Sequence, residues 1–191
     1  NFFNYIKNPN YYLIPNRFND GYGPNLDLIK KNLKKNTKIV IFVDCGSNSS
    51  KIINFLKKKN IEVLIIDHHH INNKLPSTLN IINPMKNPKD YTGQNICAAA
   101  LTFYLINLLN NELKKKINIC DFLFFALLGT ICDLMPLRHS NKHISKIALH
   151  KLNKVENPGI KQLLNFLSLK RSINYTDISY SIGPMINSPG R

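Results

Sequence analysis

Two short, wholly apolar runs that each end in an aspartate constrain the fold of this chain more than any other feature. The first run, residues 39–43 (IVIFV), is followed by Asp44, and the second, residues 63–66 (VLII), is followed by Asp67. Runs of this kind are typical of strands buried on both faces of a parallel sheet. Ligands of open α/β sheets bind at the carboxyl ends of the strands. The sequence therefore predicts that two neighbouring strands bring Asp44 and Asp67 to one edge.

Consecutive histidines follow the second aspartate directly. Asp44 and the segment Asp67-His68-His69 would together place carboxylate oxygens and imidazole nitrogens at the same sheet edge. This mixture of ligands suits Mn²⁺ or Mg²⁺ better than Zn²⁺, because no thiolate is needed. We therefore expect a divalent metal site there.

Asp133 is a third carboxylate in an apolar setting, because it closes the run of residues 122–132. An unpaired charge beside a core is strongly unfavourable, and a divalent cation would supply the partner. Each group also has an ordinary explanation by itself. Asp44 could be a carboxylate at a helix N-terminus, Asp133 a turn residue before a proline, and His68-His69 a surface cluster. Because all three explanations would have to hold at once, their joint occurrence favours the metal site.

Strand and helix patterns alternate along the chain and predict an α/β fold, a parallel sheet flanked by helices with a helical C-terminal portion. We assign residues 1–137 to an α/β catalytic core and 138–191 to its helical extension. The segment 119–131 fits a buried helix or a buried strand. The remaining predicted elements are strands at 11–14, 39–43, 61–66 and near 79–82, helices at 25–35, from Ser47 or Ser49 to 59, 96–110, 140–152, 158–168 and 175–181, and a turn at 183–184.

The charge balance indicates a polyanionic partner. The chain has 26 Lys and Arg against 11 Asp and Glu, a net charge of +15, which favours nucleic acid. An AT-rich coding sequence also produces many lysines, so the charge alone leaves both explanations open. Neither a signal peptide nor an apolar stretch of about 20 residues is visible, which predicts no membrane association. The four cysteines have no Cys-x-x-Cys spacing, which favours reduced thiols in a cytoplasmic protein.

Arginines are scarce, and two of them lie in loops rich in glycine and proline. Arg17 follows Ile14-Pro15-Asn16, and Arg191 follows a glycine. Arginine in a shaped loop is a common device for gripping phosphate with two hydrogen bonds. Each is also explained, singly, as a surface arginine in a local salt bridge.

Three more histidines, His139, His143 and His150, share one predicted helix face. The His-x-x-x-His spacing of a zinc site would need a glutamate inside it, and residues 140–142 (SNK) contain none. We interpret these histidines as exposed helix residues.

Taken together, these segments resemble the DHH phosphoesterase superfamily, and within it the exonucleases specific for single-stranded DNA. Asp-His-His by itself is a weak motif, but five motifs in family order are strong, and they cover nearly the whole chain. The matching segments are residues 11–23 (YYLIPNRFNDGYG), 43–46 (VDCG), 67–69 (DHH), 128–137 (LGTICDLMPL) and 182–191 (IGPMINSPGR).

The resemblance implies an α/β core that digests single-stranded DNA from its 5′ end with Mn²⁺ or Mg²⁺ in a two-metal site. Position by position, it implies that Asp44 bridges the metals and that His68 and Asp133 are further ligands. Asp67 belongs to the metal site by orienting or supporting the ligands, and His69 faces the scissile phosphate.

Binding of DNA follows from the same resemblance. It assigns Asn16, Arg17 and Arg191 to the DNA backbone or its terminal phosphate. It also suggests a single-strand-binding protein or a helicase as partner proteins.

The chain departs from the family pattern at its N-terminal end and in the segment 182–191. The family's Asp-x-Asp-Gly motif and first strand are expected before residue 1, and the chain contains no Asp-x-Asp, so the 191 residues alone could be inactive. Met185 stands where the family usually has arginine. Two alternatives stay open, namely a DHH phosphodiesterase of short oligonucleotides or cyclic dinucleotides, and a DNA-binding remnant without catalysis.

Overall fold

The computed structural model describes residues 2–16, 18–72, 76, 80–86, 95–168 and 171–188. The chain forms two compact units, residues 1–94 and 95–191, each with its own apolar core. In chain order the elements are α1 (Phe2–Tyr5), α2 (Leu26–Asn32), β1 (Ile39–Val43), α3 (Ser50–Lys58), β2 (Glu62–Ile66), β3 (Ile81–Ile82), a 3₁₀ turn (Pro84–Lys86), α4 (Ala98–Glu112), α5 (Cys120–Cys132), α6 (His139–His150), a second 3₁₀ turn (Leu152–Lys154), α7 (Pro158–Phe166), α8 (Tyr175–Asp177), a π-helical turn (Ile178–Ile182) and α9 (Gly183–Asn187).

The α/β class predicted from the sequence is confirmed, with a parallel sheet, accompanying helices and a helical C-terminal portion. The predicted domain boundary after residue 137 falls inside the second unit, between α5 and α6, which pack against each other. The assignment of residues 1–137 to a catalytic core stays a prediction.

The sheet of the first unit has the order β1-β2-β3, and both strand pairs are parallel. Val43, the last residue of β1, lies opposite Ile66, the last residue of β2. Because Ile66 also pairs with Ile82 at the end of β3, the three strands stop at one edge. The loops that follow the strands therefore begin side by side.

Helix α3 covers the sheet with an apolar face. Ile53 and Leu56 are fully buried and share a core with Val63 and Ile65 of β2. Burial of each such side chain stabilises the fold by roughly 1.5–3 kcal/mol. Helix α2 begins as predicted, because the Asn25 side chain accepts hydrogen bonds from the first-turn backbone and caps the helix.

The expectation that both predicted strands are buried on both faces is right for β2 and wrong for β1. In the sheet that the described residues form, β1 is an edge strand, and Ile39 and Val43 remain 50% and 45% exposed. Burial of β2 results from its central place between two neighbours.

The predicted strand at residues 11–14 is wrong. This segment has no regular secondary structure, and Tyr12 and Ile14 are exposed. The segment contacts the rest of the first unit through the side chain of Tyr11. Its hydroxyl accepts a hydrogen bond from the Lys34 amide at 3.3 Å and lies 3.2 Å from Thr37 Oγ1. Aromatic residues favour strands in general, but a strand also needs a pairing edge.

The second unit is helical, and the segment that fitted either a helix or a strand is α5. Helices α4 and α5 approach closely at Gly129, where an added Cβ would lie 2.7 Å from Cβ of Ala99. The predicted turn at residues 183–184 is wrong, because α9 begins at Gly183. Helix α9 follows directly after the π-helical turn Ile178–Ile182, so the helical backbone continues through Pro184.

No helix among the described residues combines the length and the apolar character required to cross a bilayer.

Candidate metal centre

The aspartates that follow β1 and β2 begin neighbouring loops at the same edge of the sheet. The amide of Asp44 donates to the Ile66 carbonyl at 2.9 Å, and the amide of Asp67 donates to the Ile82 carbonyl at 2.9 Å. The strand ladder thus continues into the first residue of each loop. This arrangement brings the loop after β1 beside the loop that carries the histidines.

Asp44, His68 and His69 form a compact cluster of potential metal ligands. Oδ1 of Asp44 lies 3.1 Å from Nε2 of His68 and 4.0 Å from Nδ1 of His69. One ligand atom from each residue falls within 4.8 Å of the others. The His68 side chain is 14% exposed, whereas those of Asp44 and His69 are 54% and 44% exposed. The cluster is therefore anchored at the mostly buried His68 and open to solvent at Asp44 and His69.

The backbone around Asp44 makes a sharp, left-handed turn. Asp44 has φ = 61° and Gly46 has φ = 109°. Aspartate is one of the few residues with a side chain that adopts the first conformation readily. A Cβ at Gly46 would lie 3.0 Å from Cβ of Phe42 and 3.4 Å from Ile65. Only glycine allows the loop to pass this close to the strands.

Asp67 lies beneath the cluster, where 2% of its surface is exposed. Its Oδ1 accepts from the amides of His68 and His69 and, at 2.7 Å, from Nδ1 of His69, while Oδ2 accepts from the Ser47 amide at 3.0 Å. Burial raises the pKa of this carboxyl group, but hydrogen bonds from His69 and Ser47 outweigh burial and bring the pKa below its usual value. Asp67 therefore stays ionised and fixes the histidine loop.

The Cys45 thiol, between the two aspartates in sequence, contributes no thiolate. Burial raises its pKa to about 11, and the negative charges of Asp67 and Asp44 add to the effect. The groups available near neutral pH are thus carboxylate and imidazole.

The cluster suits a hard or borderline divalent ion. Neighbouring ligands around an octahedral ion at about 2.1 Å lie about 3 Å apart. The 3.1 Å between Asp44 Oδ1 and His68 Nε2 matches this value. Nδ1 of His69 is engaged by Asp67, so His69 has only Nε2 left for a ligand or a substrate. Asp44 and His68 are the pair that fits Mn²⁺ or Mg²⁺ best.

Two buried residues of this site are missing from the sequence prediction. Ser47 is fully buried, and its Oγ accepts from Nδ2 of Asn83 at 2.8 Å. Nδ2 of Asn83 also donates to the His69 carbonyl at 3.0 Å. Asn83 follows β3 directly, so the rule that identified Asp44 and Asp67 applies to it as well. The two-residue length of β3 hid that signal.

Asp133 belongs to the second unit. It forms the C-terminal cap of α5, with its amide donating to the Gly129 carbonyl at 2.9 Å, and its side chain is exposed. Its role as a further metal ligand stays a prediction.

The predicted DNA-binding residues are only partly described. Oδ1 of Asn16 accepts from the amides of Phe18 and Asn19 at 2.9 and 3.1 Å and thereby shapes its own loop. Arg17 and Arg191 lie outside the described residues. The assignment of all three to DNA stays a prediction.

His139, His143 and His150 lie on α6 and are exposed, which confirms their interpretation as exposed helix residues. Lys142 and Lys146 share this face. The segment 134–155 contains no acidic residue. We refer to these five residues as the α6 basic face.

The model of the DHH family, N-terminal domain, matches residues 1–130. The single-stranded-DNA-specific exonuclease RecJ of Salmonella typhimurium is 28% identical over 192 residues, covering 94% of this chain and 33% of that protein. RecJ of Bacillus subtilis is 28% identical over 181 residues, covering 94% of this chain and 22% of that protein. The chain thus spans at most about a third of the length of these relatives.

Solved structures show the same fold. Exonuclease RecJ bound to manganese superposes with a TM-score of 0.80 at 23% identity, over 93% of this chain and 44% of that one. RecJ from Thermus thermophilus in complex with Mn²⁺ superposes with a TM-score of 0.73 at 22% identity, over 85% of this chain and 24% of that one.

Proposed function

The chain belongs to the DHH family, and from this membership we propose that the protein is a metal-dependent exonuclease. The proposed reaction is hydrolysis of phosphodiester bonds in single-stranded DNA from the 5′ end, with Mn²⁺ or Mg²⁺. The relatives that cover most of this chain are single-stranded-DNA-specific exonucleases, and two similar structures contain manganese.

The observation that carries the proposal is the 3.1 Å approach of Asp44 Oδ1 to His68 Nε2 at the sheet edge. An aspartate in a left-handed conformation and a histidine from the next loop meet there, although they are far apart in sequence. We assign Asp44 and His68 as ligands of the divalent ions and Asp133 as a further ligand. Bound divalent ions would supply a water of lowered pKa and stabilise negative charge on the phosphoryl and leaving oxygens.

The chain's own groups then have distinct roles. The ionised Asp67 accepts a hydrogen bond from Nδ1 of His69 at 2.7 Å, so Nδ1 carries a proton. This leaves Nε2 of the exposed His69 to face the scissile phosphate. Asp67 thereby fixes the tautomer and the orientation of the His69 ring. Asp67 supports the metal site from beneath the ligands rather than by contact with substrate.

DNA binding would use Asn16, Arg17 and Arg191 for the backbone or the terminal phosphate. The net charge of +15 supports a polyanionic substrate. The α6 basic face supports it as well, because its Lys142 and Lys146 lie in a stretch without acidic neighbours in sequence. We place the protein in the cytoplasm, with a single-strand-binding protein or a helicase as its protein partner.

The test is digestion by the complete protein of single strands labelled at the 5′ or the 3′ end. We expect Mn²⁺-dependent release of mononucleotides from the 5′ end and loss of this activity in Asp44→Ala, with DNA binding retained. Asp27→Ala removes an exposed aspartate of α2 and serves as the control. Equal activity of Asp44→Ala and the wild type would contradict the proposal, as would cleavage confined to dinucleotides.

A further inference from the structure

Asn83 is the third polar residue at the edge where the strands end. It follows β3 as Asp44 follows β1 and Asp67 follows β2. Unlike Asp44, it is inaccessible to solvent, with 1% of its surface exposed. An uncharged amide buried at this depth is unfavourable unless its hydrogen bonds are made.

Among the described residues, the Asn83 amide makes three hydrogen bonds. Nδ2 donates to Ser47 Oγ at 2.8 Å and to the His69 carbonyl at 3.0 Å. Oδ1 accepts from the Met85 amide at 2.8 Å. The amide thus links the end of β3 to both loops of the candidate site.

These contacts reach the two loops close to the candidate ligands Asp44 and His68. Ser47 lies three residues after Asp44, and its amide donates to Oδ2 of Asp67. The His69 carbonyl belongs to the residue whose ring is held by Oδ1 of Asp67. Asn83 and Asp67 therefore connect the same two loops, one through an amide and the other through a carboxylate.

We propose that Asn83 is a positioning residue that fixes the loop carrying His68 and His69 against the loop carrying Asp44. Its relevance to hydrolysis rests on the proposed function, whereas its effect on the loops and on ion binding does not. The hydrogen bonds at position 83 require an amide, because the side chain both donates and accepts. A carboxylate of the same shape would place an oxygen against the His69 carbonyl, where two acceptors repel each other.

The substitution Asn83→Asp in the complete protein tests the positioning role, because it changes the side-chain volume little. We expect the Mn²⁺ dissociation constant, measured by calorimetry with the metal alone, to rise by about 10- to 100-fold. We expect kcat on single-stranded DNA to fall by a similar factor at saturating Mn²⁺, with KM for DNA little changed. The backbone amides of His68 and His69 should exchange hydrogen faster, because their loop is released.

Asn118→Asp is the matched control. Asn118 lies in the second unit, where Nδ2 donates to the Lys154 carbonyl at 3.1 Å and Oδ1 accepts from the Cys120 amide at 3.0 Å. This variant should lose thermal stability while Mn²⁺ affinity and kcat stay at wild-type values.

Two outcomes overturn the proposal. One is an Asn83→Asp variant with a lowered melting temperature but wild-type Mn²⁺ affinity and kcat, which is what a purely structural role produces. The other is unchanged hydrogen exchange at His68 and His69. If the wild type neither digests DNA nor binds Mn²⁺, the proposed function fails, and the exchange rates alone then decide the role of Asn83.

Discussion

Nδ1 of His69 donates a 2.7 Å hydrogen bond to Oδ1 of Asp67, a carboxylate with 2% of its surface exposed. The histidine that faces solvent at the candidate site is thus oriented by a buried negative charge. Carboxylates behind catalytic or metal-binding imidazoles fix the tautomer and the orientation of the ring. The same Asp67 holds the backbone of this loop and of the loop after β1. One buried group therefore couples both halves of the site.

Replacement of Asp67 by Asn should weaken catalysis more than it weakens the fold. We expect kcat to fall by about 10- to 100-fold, because the charge behind His69 is lost. The free energy of unfolding should fall by about 1–3 kcal/mol from impaired buried hydrogen bonds. Asp121→Asn is the control, since Asp121 is also buried and accepts from two backbone amides in the second unit. It should lose stability without losing kcat, as denaturation and steady-state kinetics will show.

The turn after β1 should not tolerate a side chain at Gly46. Gly46→Ala combines φ = 109° with a Cβ placed 3.0 Å from Cβ of Phe42, and we expect the variant to be destabilised by about 1–3 kcal/mol. At Gly21, φ is 79° but nothing lies within 4 Å of the added Cβ. Gly21→Ala should therefore lose only the stability that the unfavourable backbone conformation costs. Equal losses in urea denaturation would show that the close approach to Phe42 is unimportant.

The strand ends were predictable because their signal is local. Apolar runs that stop at Asp44 and Asp67 mark parallel strands. Parallel strands end at the same edge of the sheet, so the loops after them lie together however the helices pack. The helix α5 was harder to predict, since an unbroken apolar segment fits a buried helix and a buried strand alike. Only the structure resolves this ambiguity, because the second unit is built by helix packing.

Other features were not predictable because they depend on register and tertiary contacts. The left-handed turn at Asp44 and the hydrogen bonds of Asp67 follow from how two loops meet. Asn83 was missed because β3 has two residues and leaves little pattern. The segment after Asn10 was mistaken for a strand because its aromatic residues favour strands, whereas Tyr11 attaches it through its hydroxyl group.

The ion pair between Arg171 and Asp177 should make the stability of the second unit depend on pH. Hydrogen bonds from the Arg171 side chain, at 2.7 and 2.8 Å, are the main reason that the pKa of Asp177 falls to about 2. A lowered pKa stabilises the folded state above the unfolded value near 4, and this contribution is lost as the pH falls toward 2. The stability difference between the wild type and Asp177→Asn should therefore shrink between about pH 4 and pH 2. A constant difference in denaturation experiments down to about pH 2 would exclude this linkage.

Removal of lysines from the α6 basic face should weaken DNA binding in a salt-dependent way. If Lys142 and Lys146 each contact a phosphate, replacing both by Gln should lower the slope of log affinity against log salt by about 1.4. Lys57→Gln with Lys58→Gln is the control, because these lysines lie at the opposite end of β2 from Asp67. Fluorescence anisotropy with a labelled single strand measures both slopes. Identical slopes for the two double variants would show that Lys142 and Lys146 of α6 do not contact DNA phosphates.

The most direct measurement is the location of manganese in crystals of the complete protein, from anomalous diffraction at the manganese absorption edge. We predict a peak within roughly 2.0–2.2 Å of a carboxylate oxygen of Asp44 and of Nε2 of His68, with the ring of His69 beside it and Asp67 not in contact. Manganese bound only elsewhere, with none between Asp44 and His68 at saturating concentration, would contradict the account.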